Sequence, residues 1–399
     1  MLTVFKVNAR MKQWMLMGKV DFCMNIQQCD VRKKTIQDIQ RHLSDNIDAR
    51  VLIWGCSKTA ETITNYMLHC GLKEISAYIV DDQYYENNKF LGRDVLKSSE
   101  WISQATDSDF VICGFVGQKQ AKALKERLPR YVKCYSFLFP YSMNAYGNYL
   151  NQEIYESLMV DFEDVYYNLS DNRSKLILET YINACISGDD SIIASLCTED
   201  QYFNDLTKDA AIHCFVDCGA YNGDTAETVE QVYQETIERI VCFEPDIHNV
   251  GEIKRKIKKN QLSGKKITII QKGSWSEQNK LYFSSTGSSS SICEDGEYAI
   301  EVDSVDRVMQ TLSMPVDYIK MDVEGSELET LRGSIKTIQT DHPICAICVY
   351  HKVDDIPVLF HELKRIVSDY PYRFYLRYHG FDNWQNFMLD EENERDNIL

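Results

Sequence analysis

Short apolar runs alternate with helical periodicity along most of this chain, which is the pattern of an α/β fold with buried parallel strands. In the C-terminal half, such runs begin at Phe215, Arg239, Lys266, Val316 and Ile344, and a β-rich run covers 372–380. Small or acidic residues follow the first four runs. We therefore predict a mostly parallel sheet that carries polar groups at the carboxyl ends of its strands.

A second α/β unit occupies the N-terminal half. Its predicted strands are 50–55, 77–82 and 110–115, with a helix from about Lys58 to Cys70, and helical periodicity continues over 141–203. We predict two Rossmann-like domains. The expected boundaries are an extension at 1–45, the first domain at 46–140, a helical linker at 141–205 and the second domain at 206–399.

The first domain lacks most of a nucleotide fingerprint. Its turn, 55–60, holds only the first glycine, although Asp81 or Asp82 stands where a ribose-binding acid is expected. Over 50–115 it resembles the small N-terminal domains of sugar-modifying acyltransferases, which accept nucleotide sugars. We predict a structural or substrate-docking module, with a nucleotide site as the alternative.

Composition narrows the class of protein. The chain has 399 residues with 44% apolar content, enough for more than one core. Lys and Arg number 43 against 60 Asp and Glu, and the net charge of -17 opposes binding to nucleic acid. There is no signal peptide pattern and no apolar run of about 18 residues, which predicts a cytoplasmic protein without a membrane span. Fourteen cysteines are scattered singly, as buried small side chains are.

The most informative segment is 215–225, FVDCGAYNGDT, an apolar strand followed by two glycines. Tyr221 replaces the middle glycine of a dinucleotide fingerprint, which disfavours a pyrophosphate, and Asp217 suits a cationic ligand such as a sulfonium. A simple tight turn is the alternative. The candidate cofactor contacts here are Asp217, Gly219, Ala220, Tyr221, Gly223, Asp224 and Thr225.

The next two strands end in further candidates. Glu244 and Pro245 follow the strand 239–243, where a carboxylate can accept bonds from two ribose hydroxyls. Gly273 and Ser274 precede Trp275 and could frame an adenine ring. The alternative for Glu244 is a solvated strand end. The alternative for Gly273 and Ser274 is an ordinary junction between a strand and a loop, with Trp275 in a core.

The fourth strand places three acids close together. Asp322, Glu324 and Glu327 follow the apolar run, and Asp322 is expected to face the same crevice as Asp217. We expect Glu327 to share a helix face with Glu324. Capping of a helix N-terminus is the alternative role for both glutamates.

These motifs together resemble the FkbM-type methyltransferase family. The matching segments are FVDCGAYNGDT, CFEPD, IKMDVEGSELETLRG, ICAICVYHK and FYLRYH, and the resemblance covers about 155–389. It implies a class I Rossmann-like methyltransferase fold with a mostly parallel seven-stranded sheet over 206–399. It also implies S-adenosylmethionine as the cofactor and O-methylation as the reaction.

The implied reaction requires a proton acceptor, because an alcohol is barely ionised at neutral pH. Asp322 and His351 are the candidates. Asp322 could instead bind the cofactor by orienting its methionine part, or hold a divalent cation with Glu324, although no metal is indicated. We expect Glu324, Lys352 and Arg377 to contact the acceptor. The alternatives are a structural His351 and an Arg377 that pairs on a strand face.

We therefore predict methyl transfer from S-adenosylmethionine to a hydroxyl of a sugar or another polyhydroxylated acceptor. The expected partner is a small molecule or glycan, and oligomeric state is left open. A nucleotide-sugar oxidoreductase and a non-catalytic scaffold in glycan assembly are the alternatives. The serine-rich segment 284–291 is predicted to be a flexible loop, or a lid over the acceptor.

Overall fold

The computed structural model describes residues 24, 26, 30–115, 118–137, 149–198, 200–286, 289–292, 298–379 and 385–391. Elements are numbered in chain order. The N-terminal elements are α1 (Val31–Asp45), β1 (Arg50–Trp54), α2 (Lys58–His69), β2 (Ala77–Val80), β3 (Lys89–Phe90), β4 (Arg93–Lys97), α3 (Ser98–Ile102), β5 (Asp109–Cys113), α4 (Gln118–Arg127) and β6 (Lys133–Tyr135). Two long helices follow, α5 (Gln152–Asn168) and α6 (Asn172–Ser187).

The C-terminal elements begin with β7 (Cys214–Cys218), α7 (Asp224–Val232), β8 (Arg239–Phe243), α8 (Ile247–Lys258), β9 (Ile267–Ile270), β10 (Gly273–Ser274), β11 (Asn279–Thr286), β12 (Ser289–Ile292) and β13 (Tyr298–Asp303). They continue with α9 (Val305–Leu312), β14 (Tyr318–Met321), α10 (Glu327–Arg332), α11 (Ile335–Asp341), β15 (Ile344–Cys348), α12 (Asp355–Ile366), β16 (Tyr372–Tyr378) and β17 (Gln385–Glu391). None of the described helices is long and apolar enough to span a bilayer.

Two sheets confirm the predicted α/β class. The N-terminal sheet has the order β3-β4-β2-β1-β5-β6 and is parallel except at the β3–β4 pair. The C-terminal sheet has seven strands in the order β16-β17-β15-β14-β7-β8-β9. The strand β17 runs antiparallel to both of its neighbours, β16 and β15, and the other neighbouring pairs are parallel. The strand order reverses between β7 and β14, so a crevice opens where these two strands end.

Apolar side chains cover both faces of the seven-stranded sheet. Val216, Val241 and Ile319 point into one core, whereas Phe215, Ile240 and Tyr318 point into the other. This alternation is the period of two that a strand imposes on its side chains. Burial on both faces explains why these strands are almost continuously apolar.

The described residues of the serine-rich segment lie in two paired strands and not in the loop that the sequence predicts. Residues 284–286 belong to β11 and pair antiparallel with 289–291 of β12. This hairpin extends a small sheet of order β10-β13-β11-β12. Backbone pairing across the hairpin overrides the low strand preference of a serine run.

The acids expected at a ribose site in the first domain have structural partners. Asp82 accepts hydrogen bonds from the Ser98 hydroxyl and the Ser99 amide, both at 3.0 Å. Asp81 pairs with Arg127 at 2.6 Å. These contacts support a structural or docking module more than a nucleotide site.

Arg32 joins the N-terminal helix α1 to α6. Its buried guanidinium donates to the carbonyl oxygens of Cys185 and Ile186, at 2.9 and 3.1 Å, and pairs with Asp30. The aromatic rings of Tyr66 and Tyr149 lie over it, at 5.7 and 4.7 Å. One buried cation therefore satisfies the C-terminal carbonyls of α6 and links two parts of the chain.

We expect Arg32→Met to lower the free energy of unfolding by about 3 to 5 kcal/mol, because it leaves Asp30 and two carbonyl groups without their donor. The midpoint of urea unfolding measures this. The matched control is Arg41→Met, whose ion pair with Asp38 is exposed and should contribute less than about 1 kcal/mol. Equal shifts in the two variants would contradict the structural role of Arg32.

Candidate active site

The glycine turn after β7 lies directly against the end of β14. Gly219 has a φ of +86°, and a Cβ atom there would collide with the carbonyl oxygen of Asp322. Gly223 has a φ of +79° and is the N-cap of α7, while Tyr221 between them is exposed with a φ of +46°. Glycine at 219 is therefore required by the packing of two strand ends as well as by its left-handed backbone.

The rest of the turn leads into α7. Ala220 is fully buried, and its carbonyl oxygen accepts from the Gly223 amide at 2.8 Å. Asp224 begins the helix, and its carboxylate accepts from the Thr225 amide, also at 2.8 Å. Because Gly223 has no side chain to cap the first turn, amides at this helix N-terminus are available to a ligand.

Glu244 connects the turn to the end of β8. One of its carboxylate oxygens accepts from the Tyr221 amide and the other from the Asp246 amide, each at 2.8 Å. Burial raises the pKa of Glu244, although these bonds oppose the shift. Pro245 separates Glu244 from Asp246, which caps α8. A carboxylate oxygen accepts more than one bond, so Glu244 keeps acceptor capacity toward a ligand.

Asp217 forms a buried ion pair with Lys320, a residue that the sequence analysis missed. The Lys320 ammonium is 3.0 Å from Asp217 and donates to the carbonyl oxygen of Gly219 at 2.7 Å. Burial raises the pKa of Asp217 to about 6, against the opposing effect of Lys320. A lysine inside the otherwise apolar strand β14 was the available signal, because a buried lysine needs a partner.

Gly273 and Ser274 form the short strand β10, which pairs with β13. The buried Ser274 hydroxyl is 2.9 Å from that of Thr330. Trp275 is only partly buried. The side chain of Ser274 is thus engaged inside the protein, which leaves the backbone of this segment for any ligand contact.

Asp322 lies at the end of β14 between two tyrosines. Its carboxylate accepts from the hydroxyl of Tyr350 at 2.9 Å and from that of Tyr202 at 3.2 Å. Its side chain is 20% exposed. Tyr202 comes from the segment before β7, more than a hundred residues away, so only the tertiary fold shows this contact.

His351 lies behind Asp322 and is fully buried. Its Nδ1 atom is 3.0 Å from Glu327 Oε1, and its Nε2 atom is 3.6 Å from Asp322 Oδ1 and 3.7 Å from Glu324 Oε2. Burial lowers the pKa of His351, but the three carboxylates outweigh it and raise the pKa to about 9. The carboxylates therefore favour a positive charge at this point of the site.

Glu324 and Glu327 do not share a helix face, contrary to the expectation. Glu324 precedes α10 in a turn with a φ of +54° and its side chain is 62% exposed. Glu327 is the first residue of α10, and its buried carboxylate accepts from the Val323 amide at 2.9 Å. The turn at Gly325 separates them, so the helical spacing of three did not apply.

The two cationic residues predicted to contact the acceptor, Lys352 and Arg377, lie in different surroundings. Lys352 donates through its ammonium to the Gly325 carbonyl oxygen, beside the acids. Arg377 is buried and donates to Asp171 at 2.9 Å and to the Ser174 hydroxyl at 3.0 Å. We correct its assignment as an acceptor contact, because its guanidinium ties β16 to the start of α6, as the pairing alternative expected.

The comparisons with known proteins identify the second domain. Residues 217–374 match the family model of the methyltransferase FkbM domain. This part of the chain is similar to an FkbM-type methyltransferase domain. The crystal structure of methyltransferase FkbM from Methylobacillus flagellatus KT aligns with 96% of this chain and 99% of that chain, at 19% identity and a TM-score of 0.66. This likeness shows a shared fold across both halves of the chain.

Other solved methyltransferases align less well. An rRNA methylase from Streptococcus thermophilus covers 46% of this chain and 89% of its own, at 13% identity and a TM-score of 0.30. Methyltransferase PaMTH1 from Podospora anserina covers 60% and 88%, at 12% identity and a TM-score of 0.31. No curated protein matches the chain.

The match to this family model supports a methyltransferase, and the sequence motifs imply S-adenosylmethionine as its cofactor. Its residues fit that cofactor. Glu244 is a buried carboxylate with acceptor capacity, which suits the two ribose hydroxyls, and the excess of acids around Asp217 and Asp322 suits a cationic sulfonium and ammonium. We expect the turn from Gly219 to Gly223 to hold the cofactor by its backbone.

We expect Gly219→Ala to weaken S-adenosylmethionine binding at least about tenfold, because the added Cβ displaces the turn from β14 and a left-handed backbone disfavours alanine. Isothermal titration calorimetry measures the dissociation constant. Gly251→Ala, in α8 where nothing lies within 4 Å of an added Cβ, is the control and should bind normally. Unchanged binding by a folded Gly219→Ala protein would exclude this turn as the cofactor contact.

Cofactor affinity should also fall as the pH drops below about 6. Asp217 has a raised pKa of about 6, so it is charged above that pH and loses its attraction for Lys320 below it. Asp224 and Asp322 are the other charged groups that face it, and both favour its protonation. Calorimetry at about pH 5 and about pH 7.5 tests this; affinity that does not change over this interval, with the protein still folded, contradicts it.

Proposed function

We propose that this enzyme transfers the methyl group of S-adenosylmethionine to a hydroxyl of a sugar or another polyhydroxylated acceptor. One observation carries the proposal. The partly exposed carboxylate of Asp322 lies beside the predicted cofactor turn and between two tyrosine hydroxyls. An alcohol acceptor requires a proton acceptor of this kind beside the methyl donor.

Asp322 is the better placed of the two predicted proton acceptors. His351 is fully buried behind it, so an acceptor that enters from the crevice reaches Asp322 first. The surrounding carboxylates raise the pKa of His351, and its contacts with them suit a side chain that holds these carboxylates in place. We therefore propose that Asp322 takes the proton and that His351 and Glu327 position it.

The surroundings of Asp322 favour a polar acceptor. Glu324 is exposed beside it, and Lys352 is held at the same turn through Gly325. Carboxylates accept hydrogen bonds from hydroxyl groups, and an ammonium donates them. A polyhydroxylated molecule offers both kinds of partner, which supports a sugar-like acceptor and a role in polysaccharide biosynthesis.

The cofactor would supply a methyl group on a sulfonium, and the neutral thioether S-adenosylhomocysteine would be the leaving group. The task of the protein is to align this group with the acceptor oxygen and to accept one proton. The buried Lys320 of β14 supports the alignment because it holds Asp217 of β7 and Gly219 of the following turn next to β14, which ends just before Asp322. The match to a methyltransferase family model supports methyl transfer over the oxidoreductase alternative.

The direct test measures S-adenosylhomocysteine released with a panel of sugars, nucleotide sugars and oligosaccharides, followed by mass spectrometry of the product. We expect a mass gain of one methylene on an oxygen. Methylation confined to nitrogen or sulfur acceptors would overturn the hydroxyl assignment. Cofactor binding without turnover across the panel would instead support the scaffold alternative.

We expect Asp322→Asn to lower kcat by about 10²- to 10⁴-fold while the dissociation constant of S-adenosylmethionine changes only a few-fold, because an amide cannot accept the proton. Steady-state kinetics and calorimetry separate the two effects. Asp209→Asn, at an exposed position, is the matched control and should leave both values unchanged. Normal turnover by the Asp322→Asn variant would remove Asp322 from the mechanism.

A further inference from the structure

We propose that Asp322, Glu327 and His351 bind a divalent cation at the acceptor side of the site, with Glu324 closing the exposed side. One ligand atom from each of the first three residues lies within 4.8 Å of the others. This inference rests on the proposed function for the molecule that the cation would contact, whereas the cation site itself rests on the geometry of these side chains.

The two distances from Nε2 of His351 to neighbouring carboxylates fit a cation better than hydrogen bonds. Nε2 of His351 is 3.6 Å from Asp322 Oδ1 and 3.7 Å from Glu324 Oε2. Both separations exceed the usual hydrogen-bond range of about 2.7 to 3.2 Å. Two ligands at about 2.1 Å from one ion are about 3 to 4 Å apart, which matches both.

Glu327 supplies an independent observation. Its side chain is 1% exposed, and one oxygen already accepts from the Val323 amide and lies 3.0 Å from His351 Nδ1. The other oxygen, Oε2, has no hydrogen-bond partner in the described part of the chain. A buried carboxylate oxygen without a partner is costly, and a bound cation would satisfy it.

The negative charge of the cluster also favours a bound cation. Three carboxylates, of Asp322, Glu324 and Glu327, surround a single imidazole. Repulsion among them is compensated only in part by His351 and by Lys352 nearby. Carboxylates with one imidazole suit a hard or borderline ion such as Mg²⁺ or Mn²⁺.

A cation here would act on the acceptor. It would bind neighbouring hydroxyls of a polyhydroxylated molecule and lower the pKa of the one to be methylated. Asp322 has two carboxylate oxygens, so it can hold the ion with one and accept the proton with the other. The site would thereby favour acceptors with adjacent hydroxyls over simple alcohols.

Mn²⁺ binding to the full chain tests the site without reference to activity. The protein is freed of metal with EDTA, loaded with S-adenosylmethionine and titrated with MnCl₂, and free Mn²⁺ is followed by its electron paramagnetic resonance signal. We expect one ion per chain in the wild type. Glu327→Gln and Glu324→Gln should each weaken binding, the former by at least about tenfold through loss of a charged ligand.

Glu329→Gln is the matched control, because Glu329 lies on the same helix and pairs with Arg332 on the outside. It should bind Mn²⁺ as the wild type does. Glu324 is exposed, so its variant reports on the site even if Glu327→Gln fails to fold. No stoichiometric binding by the wild type, or wild-type affinity in both folded variants, would overturn the proposal.

The outcomes separate this inference from the proposed function. Mn²⁺ binding without methylation of any hydroxyl would retain the cation site and overturn the proposed function. Full hydroxyl methylation by EDTA-treated protein that binds no Mn²⁺ would retain the proposed function and overturn the cation site. Methylation that EDTA abolishes and Mn²⁺ or Mg²⁺ restores would support both.

Discussion

The buried ion pair between Asp217 and Lys320 is the interaction on which the site depends. It joins β7 to β14 at the point where the strand order reverses, and the same ammonium donates to the Gly219 carbonyl. Because β14 ends immediately before Asp322, one buried cation sets the distance between the predicted cofactor turn and the acceptor side. Removal of either partner would leave a buried charge uncompensated, at a cost of about 3 to 5 kcal/mol.

The positions of the other side chains in the site follow from the acidic residues that lie at the carboxyl ends of the sheet strands. Each is held by a specific partner, as Glu244 is by the Tyr221 amide, Asp322 by two tyrosines and Glu327 by His351. Neighbouring carboxylates repel one another, so such a site is stable only with compensating charge and donors. That requirement is the common reason for the buried Lys320 and His351, and it predicts an affinity toward cationic ligands.

Several elements were predictable from local patterns alone. The strand 239–243 has the predicted bounds, and Glu244 lies next to the glycine turn as expected. Other predictions failed because they depended on pairing that local patterns do not show. Arg377 pairs with α6, and the serine-rich segment pairs with itself as a hairpin. Spacing could not place Glu324 either, because the turn at Gly325 precedes the helix.

The sequence by itself determined the α/β class, the strands of the sheet and the residues at their carboxyl ends, because apolar periodicity and glycine spacing are local properties. The tertiary structure alone decided which of those residues meet. Lys320 lies opposite Asp217, Tyr202 reaches Asp322, and His351 contacts Glu327 across long stretches of chain. Such pairs depend on strand register and burial, which arise only when distant segments pack together.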